Sequence, residues 1–161
     1  MIDLKLTEEV ERRIKFLIEL AVREERRDQV ATMLMRVLSN YATVGRDGSS
    51  AQIKNLNKLV STEAKNILLQ NDLKHYRSLT INEHPKPLKE TWLWLQTNAR
   101  SITTNDVWNE FKSNPMVTIS KSENSKLRAI GMSDNGNIIT RYAPIGIDII
   151  RLDQSPSKLK R

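Results

Sequence analysis

Ile102-Thr103-Thr104-Asn105-Asp106-Val107-Trp108-Asn109-Glu110-Phe111 is a complete short helix with its start signal attached. Threonines precede a first-turn Asp106, the residue types that satisfy the free amides of a helix start and suit its dipole. The stretch lies between a Trp-rich helix and a run of expected strands, so it marks a second, compact domain behind a helical first half. The fold class expected is α+β, mostly α.

Working back, Pro87 suits the first turn of a helix over Leu88 to Asn98. Trp92 and Trp94 lie about 200° apart around that helix and cannot both face one core, so one of them is expected in a second interface. Ser78 to Lys86, which runs into Pro87 through His84-Pro85-Lys86, is extended because a residue before proline is pushed out of the helical region. The domain boundary is placed there, giving a helical association domain at 1–82, a small α+β domain at 83–153 and a disordered basic tail at 154–161.

The first half is expected to form a helical hairpin or bundle. Thr7 caps a helix whose first turn carries Glu8, Glu9 and Glu11, and Val10, Ile14, Leu17, Ile18, Ala21 and Val22 recur at spacings of three and four. The stripe pauses over Arg23 to Gln29 and resumes from Val30 to Tyr41. Without Gly or Pro in the pause, the backbone can stay helical throughout, although a helix-helix corner or a phosphate-contacting surface at Arg23, Arg26 and Arg27 is the alternative. Thr43 to Ser50 is a connector, and a further helix is expected from Ala51 to Leu73.

Beyond the Ile102–Phe111 helix, Met116 to Ile119 reads as a short strand and Ser122 to Ile130 as either helix or strand. Asp134-Asn135-Gly136-Asn137 is a hairpin turn, because Asn-Gly tolerates the positive φ of a tight reversal. Asn137 to Tyr142 and Ile145 to Leu152 are the strands expected after it.

The composition bounds the function. With 39% hydrophobic and 28% charged residues, the chain is folded but rich in surface. Such a balance, with clean apolar stripes, suggests helices completed by a second copy or a protein partner, through Val10, Ile14, Leu17, Trp92 and Trp94. Twenty-six Lys and Arg against nineteen Asp and Glu give a net charge of +7, which favours a polyanion such as nucleic acid. Read as two halves, the excess is spread along the chain. The absence of cysteine excludes disulfides and thiolate chemistry and suggests a cytoplasmic home. No signal peptide or membrane span is read from the first apolar run, because Glu19 interrupts it.

Few residues suggest catalysis. His75 and His84 are the only histidines and lack partners at metal-ligand spacing, so no metal and no cofactor is expected. Gly45 to Ser50 lacks the Lys-Ser/Thr ending of a phosphate loop. A metal-dependent nuclease, the second alternative, would need converging acids, and the Glu-x-Lys at Glu63-Ala64-Lys65 falls inside an expected helix.

The order of Leu88–Asn98, Ser101–Thr103, Thr104–Lys112, Ser122–Ile130 and a turn at Asn135-Gly136 resembles the helix-strand-helix-helix-wing order of winged helix-turn-helix domains. The resemblance covers the second domain. It implies a recognition helix presenting Lys121, Asn124, Lys126 and Arg128 to a groove, with Asn135 and Arg141 on or beside the wing. The function expected is therefore a non-enzymatic, self-associating nucleic-acid-binding protein, DNA before RNA. The first alternative is a structural or adaptor subunit of a larger assembly.

Overall fold

The computed structural model describes residues 4–23, 26–130 and 140–160. In chain order these form α1 (Glu8–Arg23), α2 (Gln29–Val44), α3 (Ser50–Leu56), β1 (Leu59–Ser61), α4 (Thr62–Gln70), α5 (Leu73–Leu79), β2 (Thr80–Glu83), α6 (Leu88–Asn98), α7 (Thr104–Ser113), β3 (Val117–Ser120), α8 (Lys121–Ala129), β4 (Ile149–Arg151) and α9 (Pro156–Leu159). The fold is mostly helical α+β, with one mixed four-stranded sheet interleaved with helices. Two compact units divide it: Met1–Asp47 with Lys86–Pro115, and Gly48–Pro85 with Met116–Arg161. The expected halves, 1–82 and 83–153, thus each contribute to both units.

The first unit is a bundle of α1, α2, α6 and α7. Its core buries Val10, Ile14, Leu17, Leu38, Trp92, Leu95, Val107, Trp108 and Phe111 together. The stripe expected to meet a partner, Val10, Ile14, Leu17 and Trp92, is therefore filled by the chain's own helices. Trp94 is half-buried against the same cluster, with the Lys86 ammonium 5.6 Å from its ring centroid. Amphipathic helices bury their stripe on whatever apolar face is nearest, and α6 and α7 supply that face from far along the chain.

The expected continuous helix over 8–41 is broken. Asp28 takes an extended backbone and accepts from the Ala31 amide at 2.7 Å, so α2 starts afresh and the alternative of a helix-helix corner holds. Gly45 ends α2 at φ 78°, where a Cβ would also lie 3.2 Å from the Leu4 side chain. The Trp108 indole donates to the Leu4 carbonyl at 3.0 Å and fastens the lead-in to α1. At α7, Thr103 and Asp106 form a reciprocal capping box, as the opening stretch implied.

In the second unit the strand order is β2-β3-β1-β4, with β1 and β3 parallel at the centre and β2 and β4 antiparallel at the edges. Where a helix was expected over Ala51 to Leu73, the chain makes α3, β1 and α4. Asn57 leaves α3, its buried amide donating to the Met116 carbonyl at 3.0 Å, and Ser61 caps α4. Alternation then sorts the two faces. Val60 joins Ala64, Leu68 and Tyr76 on the face covered by α4 and α5. Val117 and Ile119 join Leu127, Tyr142 and Ile147 on the opposite face, beneath α8.

Ser122 to Ile130 lies almost wholly in the helix α8, which follows directly from β3 with no helix and tight turn before it. The expected hairpin turn at Asp134–Asn137 lies outside the described residues. Of the strands expected after it, Thr140 to Tyr142 is a turn, Ala143–Ile145 is a 3-10 turn and only Ile149–Arg151 pairs, with β1. The tail expected to be disordered carries α9, which packs on α3 and buries Pro156; Lys160 Nζ donates to the Leu69 carbonyl at 3.1 Å. Pro156 preorganises the first turn of α9, which a reading of the tail's polarity passed over.

Candidate nucleic-acid interface

The division into units redistributes the charge. The bundle holds thirteen basic and twelve acidic residues, a net +1, whereas the sheet unit holds thirteen and seven, a net +6. Two of those seven acids, Glu83 and Glu123, are buried. A charge excess spread evenly along the sequence is thus gathered into one unit by folding.

Its most cationic element is α8. Lys121, Ser122, Ser125, Lys126 and Arg128 are exposed and Asn124 is half-exposed, while Glu123 and Leu127 point inward and are buried. Glu123 is the only acid in the helix. Its outward face therefore carries three cations with amide and hydroxyl groups between them, and no carboxylate.

What turns Glu123 inward is a reciprocal network at the ends of the two central strands. Ser61 lies on the α8 side of the sheet and donates to Glu123 Oε2 at 2.5 Å; the Ser120 amide donates to the same oxygen at 2.8 Å. Ser120 lies on the α4 side and donates to Glu63 Oε1 at 2.8 Å. Each serine also caps its own helix, Ser61 accepting from the Ala64 amide and Ser120 from the Glu123 amide, both at 3.0 Å. Both helices are thereby fixed to both central strands, and α8 presents its cations from a rigid base.

Beside the start of α8 lie two residues that the sequence did not single out. Lys54, on α3, donates to the carbonyls of Arg77 at 2.8 Å and Thr80 at 2.6 Å. Arg77, on α5, donates to Asn55 Oδ1 at 3.3 Å. Thr80 pairs across the sheet with Ser120, the residue before Lys121. Burial, and then the positive charges of Lys121 and Arg77, hold the Lys54 ammonium below the usual lysine range.

The other expected contacts lie elsewhere. Arg141 is not on an exposed wing: it is 8% exposed, and its Nη2 donates to Glu83 Oε1 at 2.5 Å. The Tyr142 hydroxyl donates to the other Glu83 oxygen. Burial pushes the Glu83 carboxyl upward against the opposing pull of Tyr142 and Arg141. Arg141 is thus held as the counterion of a buried acid, a role its charge alone did not reveal. Asn135 lies outside the described residues. Among the described residues, no group of three His, Asp or Glu side chains is placed to hold a metal ion, and no helix is long and apolar enough to cross a membrane.

Compared with family models, curated proteins and solved structures, the chain gives no match.

Proposed function

We propose that the sheet unit binds nucleic acid, DNA in preference to RNA, through the outward face of α8, as a non-enzymatic binding protein. The observation that carries this reading is the asymmetry of α8: its single carboxylate is buried and bonded while Lys121, Lys126 and Arg128 face outward. Cations supply affinity for phosphates irrespective of sequence, and Asn124 and the serines can bond to base edges or phosphates. In this reading α8 enters a groove along its exposed side, as a recognition helix does, but led by a strand and not by the helix and tight turn of a winged helix-turn-helix domain. The gathering of +6 into the same unit supports it.

The test is fluorescence anisotropy of the full chain against labelled duplex DNA and against RNA of the same length, from low to physiological salt. Saturable binding that weakens steeply as salt rises, with DNA ahead of RNA, is the expected result. No binding at low salt contradicts the proposal.

A second reading, association through the bundle with another copy or a partner as a structural subunit, is favoured by the exposed side chains Phe16, Met33 and Leu93 on that unit. A concentration-dependent solution mass would support it, and a fixed monomer mass would contradict self-association.

A further inference from the structure

We infer that Lys54, Arg77 and Lys121 together form a phosphate-binding site at the start of α8. The inference rests on the nucleic-acid reading for the source of the phosphate, a backbone phosphodiester, but the geometry of the site is independent of it. Three elements far apart in sequence converge there. Two hydrogen bonds from Lys54 Nζ tie α3 to the end of α5 and the start of β2. The Thr80–Ser120 pairing brings β2 against the residue that leads into Lys121. None of the three cations makes an ion pair with a carboxylate among the described residues.

Gathering like charges without a counterion is costly; burial first, and then the charges of Lys121 and Arg77, hold the Lys54 ammonium below the usual lysine range. Surface lysines ordinarily avoid this by swinging apart. Lys54 is held in place by its two carbonyl acceptors, which use two of its three donors and leave the third for a ligand. A phosphate oxygen there removes the mutual repulsion and accepts charge-assisted hydrogen bonds, for which guanidinium and ammonium groups are the usual donors.

Arg77→Gln and Lys121→Gln test the site, because both side chains are at least partly exposed and neither carries the carbonyl bonds that Lys54 makes. Anisotropy with duplex DNA across a salt series is measured for the full-length wild type and each variant, with thermal unfolding to verify the fold. The expected result is weaker binding and a slope of log affinity against log salt that is shallower by about one for each phosphate contact removed. If affinity and slope are unchanged in both variants while Lys126→Ala with Arg128→Ala weakens binding, the phosphate site is wrong and the nucleic-acid reading stands.

A second arm uses inorganic pyrophosphate as the probe and amide chemical shifts as the readout. Saturable shifts centred on residues 54, 77 and 121, lost in both variants, support the site even if no nucleic acid binds, and would then point to a free phosphate compound as its ligand. Absence of such shifts in a chain that also fails to bind nucleic acid overturns it.

Discussion

Ser61 and Glu123, 62 residues apart, are joined by a 2.5 Å hydrogen bond across the centre of the sheet unit, and Ser120 and Glu63 repeat the bond in the opposite sense at 2.8 Å. Each serine ends one central strand and caps the helix that follows, while its hydroxyl reaches the carboxylate of the other helix. The two helices lie on opposite faces of the sheet, so the exchange clamps the sheet between them. Removing one carboxylate should therefore release more than one hydrogen bond.

Glu123→Ala is expected to cost about 2–3 kcal/mol, since the Ser61 hydroxyl and the Ser120 amide both lose a buried, charged acceptor. Glu63→Ala should cost less, because Glu63 is half-exposed and water can replace it at Ser120. Urea unfolding monitored by circular dichroism measures both. Equal losses would mean that the two bonds do not differ in burial as described.

Arg141 distinguishes a structural cation from a binding one. Arg141→Gln leaves Glu83 without its counterion in a buried site and should destabilise the chain by about 3–5 kcal/mol. The fraction that remains folded at low temperature should bind DNA with unchanged affinity. A loss of affinity without a loss of stability would place Arg141 on the binding surface.

Asp106 gives a prediction for pH. Hydrogen bonds from the Thr103 amide and hydroxyl hold its carboxyl below the usual range. Between the folded and unfolded pKa the unfolded chain binds more protons, so the contribution of Asp106 is present above the ordinary carboxylate pKa and is lost as pH falls through the folded one. The protection of the first-turn amides of α7 against hydrogen exchange, taken relative to the intrinsic rate at each pH, should fall below about pH 4 in the wild type. In Asp106→Asn that acid-dependent step should be absent; its persistence would assign the step to another group.

Helices with a cap and an unbroken stripe were legible in the chain: α6 and α7 follow from Pro87, Thr103 and Asp106. The interruptions were not. Leu59-Val60-Ser61 continues the helical spacing of its neighbours, and only the tertiary acceptors of the Asn57 amide, together with pairing to β3 and β4, turn it into a strand. Periodicity cannot report a strand of three residues whose partners lie far along the chain. The same limit hid the pairing of distant segments into units, and with it the concentration of charge.

For the site, Lys121, Lys126 and Arg128 could be read as outward-facing because charged residues seldom bury unpaired. Arg141 broke that rule through Glu83, a partner 58 residues away. Lys54 and Arg77 carried no local signal, being ordinary helix cations until β2 and β3 bring Lys121 beside them.

In the nucleic-acid binding proposed above, the position of the cations on α8, and not the net charge of the chain, sets the affinity. Two double variants that remove the same charge test it: Lys126→Gln with Arg128→Gln on α8, and Arg26→Gln with Arg27→Gln at the exposed corner of the bundle. Measured side by side on duplex DNA at one salt concentration, the α8 pair should weaken binding at least tenfold, and the corner pair should leave it near the wild-type value. Equal weakening in both, or a larger effect at the corner, would mean that net charge and not the α8 face carries the binding.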